Sequence, residues 1–148
     1  MNRDTRLSGV LHVLVHLDQV KEPLTSELLA KTMGTNPAVF RRTMAGLRNA
    51  GHVRSGKGRG GGWTLARPLS EITLFDVYEA LGHSDVFAFG LRNNRPNCKV
   101  ERAVNAALSA TMHETEALLI ARMKDISLDK ISEPKVGFTG QHQFSNHE

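Results

Sequence analysis

TSELLAKTMGTNPAVFRRTMAGLRNAGHVRSGKGRGGGWTLAR, residues 25–67, holds two short helical patterns, a tight turn between them and a glycine-rich hairpin. Thr25 or Ser26 can cap the first pattern, with Leu28, Leu29 and Met33 inward and Gly34 ending it. Asn36-Pro37 opens the second, because Asn accepts a first-turn amide bond and Pro fits the first helical position. Phe40, Met44 and Leu47 share one face of that helix, and Gly51 closes it. Two helices joined through Met33-Gly34-Thr35-Asn36 have the layout of a helix-turn-helix, whose second helix enters the DNA major groove. His52-Val53-Arg54-Ser55 and Trp63-Thr64-Leu65-Ala66, on either side of the glycines, predict a two-stranded wing.

Working outward, Leu7, Val10, Leu11, Leu14, Val15 and Leu17 predict an amphipathic helix over 5–20, broken by Lys21-Glu22-Pro23. Downstream, Ile72, Leu74, Phe75, Val77, Tyr78 and Leu81 predict a helix that packs back on the winged unit. Residues 82–98 read as a connecting loop, with Asn93-Asn94-Arg95-Pro96-Asn97 its strongest breaker. A long helical pattern follows from Lys99 to Asp125. Its apolar positions, among them Val100, Val104, Leu108, Met112, Leu118, Leu119 and Met123, cover more than one narrow stripe. A helix apolar on two faces has two things to bury against, its own domain and here the same helix of a second copy. The expected fold is mainly α: a winged helix-turn-helix with a small two-stranded β wing and a long C-terminal dimerisation helix. The expected division is 1–81 for DNA binding, 82–98 connecting, 99–133 for dimerisation and 134–148 a flexible tail.

With 148 residues, 40% apolar and 23% charged, the chain can bury a core without a disulfide or metal staple. No stretch approaches the roughly 20 apolar residues of a spanning helix. The first residues, Met1 to Leu7, lack the apolar core of a signal peptide. With the single cysteine, Cys98, these features lead us to expect a reducing, cytoplasmic setting and no membrane. Charge is divided unevenly. Residues 1–68 hold 11 Lys/Arg against 4 Asp/Glu, a net of +7, while residues 69–148 hold 8 against 11, a net of −3. A basic half joined to a mildly acidic half implies an anionic partner for one part only, double-stranded DNA being the partner that fits a helix-turn-helix.

The segment from Leu29 to Leu81 resembles the DNA-binding region of the Rrf-two (Rrf2) family of bacterial winged helix-turn-helix regulators, which includes iron–sulfur and nitric-oxide sensors. The matching residues are Leu29-Ala30 and Met33-Gly34, Leu47-Arg48-Asn49-Ala50-Gly51-His52-Val53, the wing Gly58 to Arg67, and Ile72 to Leu81. The glycine-rich wing running into Leu65-Ala66-Arg67 and then a helix is the most specific part. The resemblance implies a homodimeric transcription factor, commonly a repressor, and not an enzyme. Family members that hold a cluster carry three cysteines near the start of the long helix. Here Cys98 stands alone, with Val104 and Ala110 at the following six-residue steps and His113 beyond. One Cys and one His do not make the usual ligand set, so no cofactor is expected.

Position assigns roles to the basic residues. With Phe40, Met44 and Leu47 inward, Val39, Arg41 and Arg42 face outward. Guanidinium pairs with guanine edges or phosphates, Val39 can touch a thymine methyl, and Asn36 can contact phosphate while it caps. In the wing, Arg54, Lys57 and Arg59 alternate with glycines, and Gly60 lets the backbone approach DNA. Val104, Leu108, Met112, Leu118 and Leu119 are the dimerisation candidates. Cys98, beside Lys99, is the candidate redox sensor, against the plainer reading of an unreactive residue at a helix start. A small-molecule effector between the wing unit and the long helix is the other expected route of response.

Two look-alikes fail on context. Gly51 to Lys57 imitates a P-loop, and Gly56, Gly58 and Gly61 fit G-x-G-x-x-G, but neither lies between a strand and a helix. His12 and His16, at i and i+4, are the one histidine pair at metal-ligand spacing, and no acidic or thiol partner is near them in sequence, so no metal is expected. No nucleophile–base arrangement stands out. The reading from another class is a protein-interaction regulatory module without specific DNA binding. Such a module has no need of Arg41, Arg42, Arg54, Lys57 and Arg59 on one side.

Overall fold

The computed structural model describes residues 4–83, 85–87 and 90–131. The elements are α1 (Arg6–Val20), α2 (Ser26–Met33), α3 (Pro37–Asn49), β1 (Val53–Gly56), β2 (Gly62–Leu65), α4 (Leu74–Ala80) and α5 (Lys99–Lys124), with 3-10 turns at Leu69–Glu71 and Leu128–Lys130. The fold is therefore mainly helical, with the winged helix-turn-helix, the two-stranded wing and the long C-terminal helix in the expected order. The tail expected at 134–148, and the last residues of the region expected at 99–133, lie outside the described residues.

Local chemistry explains each junction of the helix-turn-helix. Thr25 is the cap of α2, its Oγ1 accepting the Leu28 amide at 3.2 Å. Ser26 is thereby free to accept the Trp63 indole N–H at 2.9 Å. Gly34 adopts a left-handed conformation (φ 70°), which lets the amide of Thr35 reach back to Ala30 O at 2.9 Å. The Asn36 side chain accepts the Val39 amide at 3.0 Å and starts α3.

The wing strands run antiparallel, with Val53 opposite Leu65 and Gly56 opposite Gly62. Leu24 adds a short third edge, exchanging both backbone bonds with Trp63 at 3.1 and 2.8 Å. Trp63 in turn meets Phe40 edge-on, with ring centres 5.7 Å apart. One core joins Val10, Val13, Leu14 and Leu17 of α1, Phe40, Met44 and Leu47 of α3, and Val77 of α4. Helices α3 and α4 approach so closely that a Cβ on Gly46 would stand 2.2 Å from Ala80 O.

Two features differ from the sequence expectation in detail. α4 starts at Leu74 instead of Ile72, because Thr73 and Asp76 form a reciprocal cap of 2.9 and 3.1 Å. Ile72 is left extended and fully buried. The chain beyond α5 then returns to it: Leu74 N–H donates to Ile126 O at 2.9 Å, and Leu128 N–H donates to Ile72 O at 2.8 Å. Leu128 is fully buried in the same core as α1 and α3.

Candidate nucleic-acid interface

Helix α3 presents two opposite faces. Phe40, Met44 and Leu47 have no exposure, while Val39, Arg41 and Arg42 are exposed, as their spacing requires. Arg41 reaches Glu27 of α2 at 3.4 Å, with both side chains more than half exposed. A pair of that kind is held weakly and can be exchanged for another anion. Arg42 makes no ion pair among the described residues. Asn36 is engaged as the cap yet exposed.

Arg54, Lys57 and Arg59 of the wing are exposed. Gly58 and Gly60 have φ of 79° and 74°, so the tip around Arg59 and Gly60 is built from backbone that L side chains disfavour. Lys57 opens the hairpin turn and a strand follows it, which removes the P-loop reading from Gly51–Lys57 on geometric grounds.

Three contacts of this surface are not legible from spacing alone. Arg48 donates to Ser55 Oγ at 3.0 Å and lies 5.7 Å from the centre of the Trp63 ring, tying α3 to the wing. Arg67 donates from Nε to Gly51 O at 3.2 Å. His52, between α3 and β1, is buried with its Nδ1 unpartnered. Burial lowers its imidazole pKa, Arg67 lowers it further and Asp76 opposes.

The candidate dimerisation residues form a stripe. At 100° per residue, Val100, Val104, Leu108, Leu118 and Leu119 fall within one quadrant or so of α5, and all are exposed, Val100 and Leu118 by 72% and 73%. Met112 lies at the edge of that stripe, half-buried, and lines an open cleft together with Asp85, Val86 and Phe87. Cys98 is exposed at the amino end of α5, and its side chain caps nothing.

Among the described residues, the donors around Cys98 do not fit an iron–sulfur cluster. Cys98 offers one thiolate, the next turns carry Val104 and Ala110, and among the described residues no three His, Cys, Asp or Glu side chains gather at one place. His12 and His16 bring their Nε2 atoms to 2.8 Å on α1, and among the described residues they belong to no group of three His, Cys, Asp or Glu side chains. Among the described residues no helix is long and apolar enough to cross a membrane.

A helix-turn-helix with an arginine-bearing second helix and a glycine-tipped basic wing defines the class of winged-helix transcriptional regulators. Comparison with known proteins gives the family. The profile of Rrf2, described as an iron-dependent transcriptional regulator, matches residues 3–134, and the chain belongs to that family. It is similar to YwnA of Bacillus subtilis (strain 168), named as an HTH-type transcriptional regulator, at 27% identity over 128 residues, covering 86% of this chain and 95% of YwnA. The fold is shared with the oxidised form of Staphylococcus aureus CymR, at TM-score 0.65 and 18% identity, covering 93% of this chain and all of that one. It is also shared with T. potens IscR, at TM-score 0.59 and 18% identity, covering 93% and 95%. The protein is a transcriptional regulator and not an enzyme.

Proposed function

We propose that this chain binds operator DNA as a homodimer and represses transcription in the cytoplasm, with α3 in the major groove and the wing tip in the adjacent minor groove. The observation that carries the reading is the division of α3, whose buried face is wholly apolar and whose exposed face offers Arg41 and Arg42, followed in the chain by an exposed basic wing. Arg41, Arg42 and Val39 read base edges; Asn36, Arg54 and Lys57 meet phosphates; Arg59 and Gly60 enter the minor groove. The exposed stripe of α5 is the dimer seam, so that residues 1–81 act as the DNA-binding unit and 99–133 as the dimerisation region, joined through 82–98.

The same reading has no iron–sulfur cluster in it. A signal reaches DNA through oxidation of Cys98, or through a small molecule held between the wing unit and α5, by changing the spacing of the two recognition helices. Protein purified without oxygen is expected to be colourless and low in iron and sulfide, and a stoichiometric cluster would overturn this part.

A salt titration of binding to natural promoter fragments tests the whole. If two protomers together neutralise about 6 phosphates, log K falls with log salt at a slope of about −5. Absence of saturable binding even at low ionic strength would favour the protein-interaction module instead.

A further inference from the structure

We propose that the cleft between the end of α3 and the base of the wing is a phosphate-binding site built by Arg48, Arg54 and Arg67, distinct from the base-reading residues. The three arginines come from three places in the chain, the last turn of α3, strand β1 and the segment after β2, and line one open cleft with Gly51, Ser55 and Glu71. Two of them are pre-oriented. Arg48 is fixed by Ser55 Oγ at 3.0 Å and by the Trp63 ring, and Arg67 by Gly51 O at 3.2 Å. Gly51 is itself required there: its φ is +82°, and a Cβ would stand 3.2 Å from Arg67 Nη2. A guanidinium has five donors, so each bond described leaves most of them for a ligand.

The charge is unbalanced. Among the described residues none of the three arginines forms an ion pair, although Arg6, Lys21 and Arg41 do. Among the described residues Glu71 is the only carboxylate lining the cleft, one negative group against three positive ones. Neighbouring His52 already feels this field, since Arg67 disfavours its protonated form. Like charges brought together without counterions weaken a fold, and planar guanidinium forks match the oxygens of a phosphate.

The phosphate can belong to the DNA backbone or to a free phosphorylated molecule. DNA is favoured, and that part rests on the function proposed above. Arg41 and Arg48 are seven residues apart, so they lie on one face of α3 about 10.5 Å apart along its axis. The cleft thus continues the recognition face toward the wing.

The test uses the full chain and the variants Arg48→Gln, Arg54→Gln and Arg67→Gln. One arm measures duplex binding by fluorescence anisotropy across a salt series, on a promoter fragment and on an unrelated duplex. The other measures Tm without DNA in inorganic phosphate and in sodium chloride at matched ionic strength. The expected result is a salt slope shallower by about 2 in each variant, because the homodimer loses the contact twice, on both duplexes alike, with a phosphate-specific rise in Tm for wild type only. An unchanged slope with the phosphate-specific Tm rise retained in wild type alone assigns the cleft to a free phosphorylated molecule. Unchanged slopes with no phosphate-specific Tm rise overturn the proposal. Should wild type bind no duplex, the DNA reading fails, and the phosphate arm alone decides the cleft. Arg54, exposed and without a described bond, keeps the test valid if Arg48→Gln or Arg67→Gln fails to fold.

Discussion

Helix α3 buries Phe40, Met44 and Leu47 completely within 13 residues, whereas α5 buries only Met123 within 26. What each leaves exposed is opposite in kind. α3 shows arginines, which water solvates and anions attract; α5 shows valines and leucines, which neither water nor DNA favours. The longer helix is therefore the less finished of the two. Its own domain holds it chiefly at the carboxyl end, where the chain turns back to residue 72. The contrast teaches that exposed helix faces in this molecule differ by the partner they suit.

The largest effect should come from exchanging what the two helices bury. Phe40→Ala removes a fully buried ring that meets Trp63 edge-on, and should cost about 3–5 kcal/mol in denaturant unfolding. Leu118→Ala should leave the stability of a monomer within about 0.5 kcal/mol, so a larger loss that grows with protein concentration would report a buried seam. Next, Leu108→Glu or Leu118→Glu should abolish a dimer at micromolar concentration in sedimentation, through a charge buried at the seam. A monomeric wild type would break the comparison by removing the partner of α5.

On α3, Arg41→Ala or Arg42→Ala should remove base discrimination of about 1–3 kcal/mol, while Lys57→Ala weakens all sequences alike. Competition between operator and scrambled duplexes checks this, and unchanged preference in both α3 variants would refute the assignment. The smallest effect concerns His52. Its native pKa lies below the ordinary value of about 6.5 that the unfolded chain keeps, so the unfolded state binds the proton more readily. Stability is then complete above that ordinary value and declines as the pH falls through it toward the lowered native one. Unfolding curves between pH 5 and 8 should show the decline, and His52→Leu should flatten it.

The helix-turn-helix and wing were legible because their signals are local. Asn36-Pro37, Gly34 and the run of wing glycines each act within a few residues of themselves. The choice between Thr25 and Ser26 as cap was not, because it is settled by Trp63, which claims Ser26 from 37 residues away. The partners of Arg48 and Arg67 are hidden for a similar reason: position at the end of α3 suggests a phosphate or an acidic neighbour for Arg48, but neither Ser55 nor Trp63. The orientation of these arginines depends on Ser55 and on the bare backbone of Gly51, and periodicity carries no trace of either. The return of residues 126–131 to the core was invisible too. Leu128 sits among Ser127, Asp129 and Lys130, a polar surrounding that reads as loop, and its burial follows only from backbone pairing with Ile72.

That pairing has a consequence for how the protein is born. Leu128 is a fully buried member of the core that supports α3, so the DNA-reading half is not closed when residue 81 leaves the ribosome. It remains open until 47 further residues have been added, roughly 2–10 s at ordinary rates of synthesis. By then all of α5 has been made. A nascent chain thus completes its DNA-reading half only after acquiring the helix that carries the apolar stripe, and a ribosome stalled before residue 128 displays recognition residues on an unfinished core.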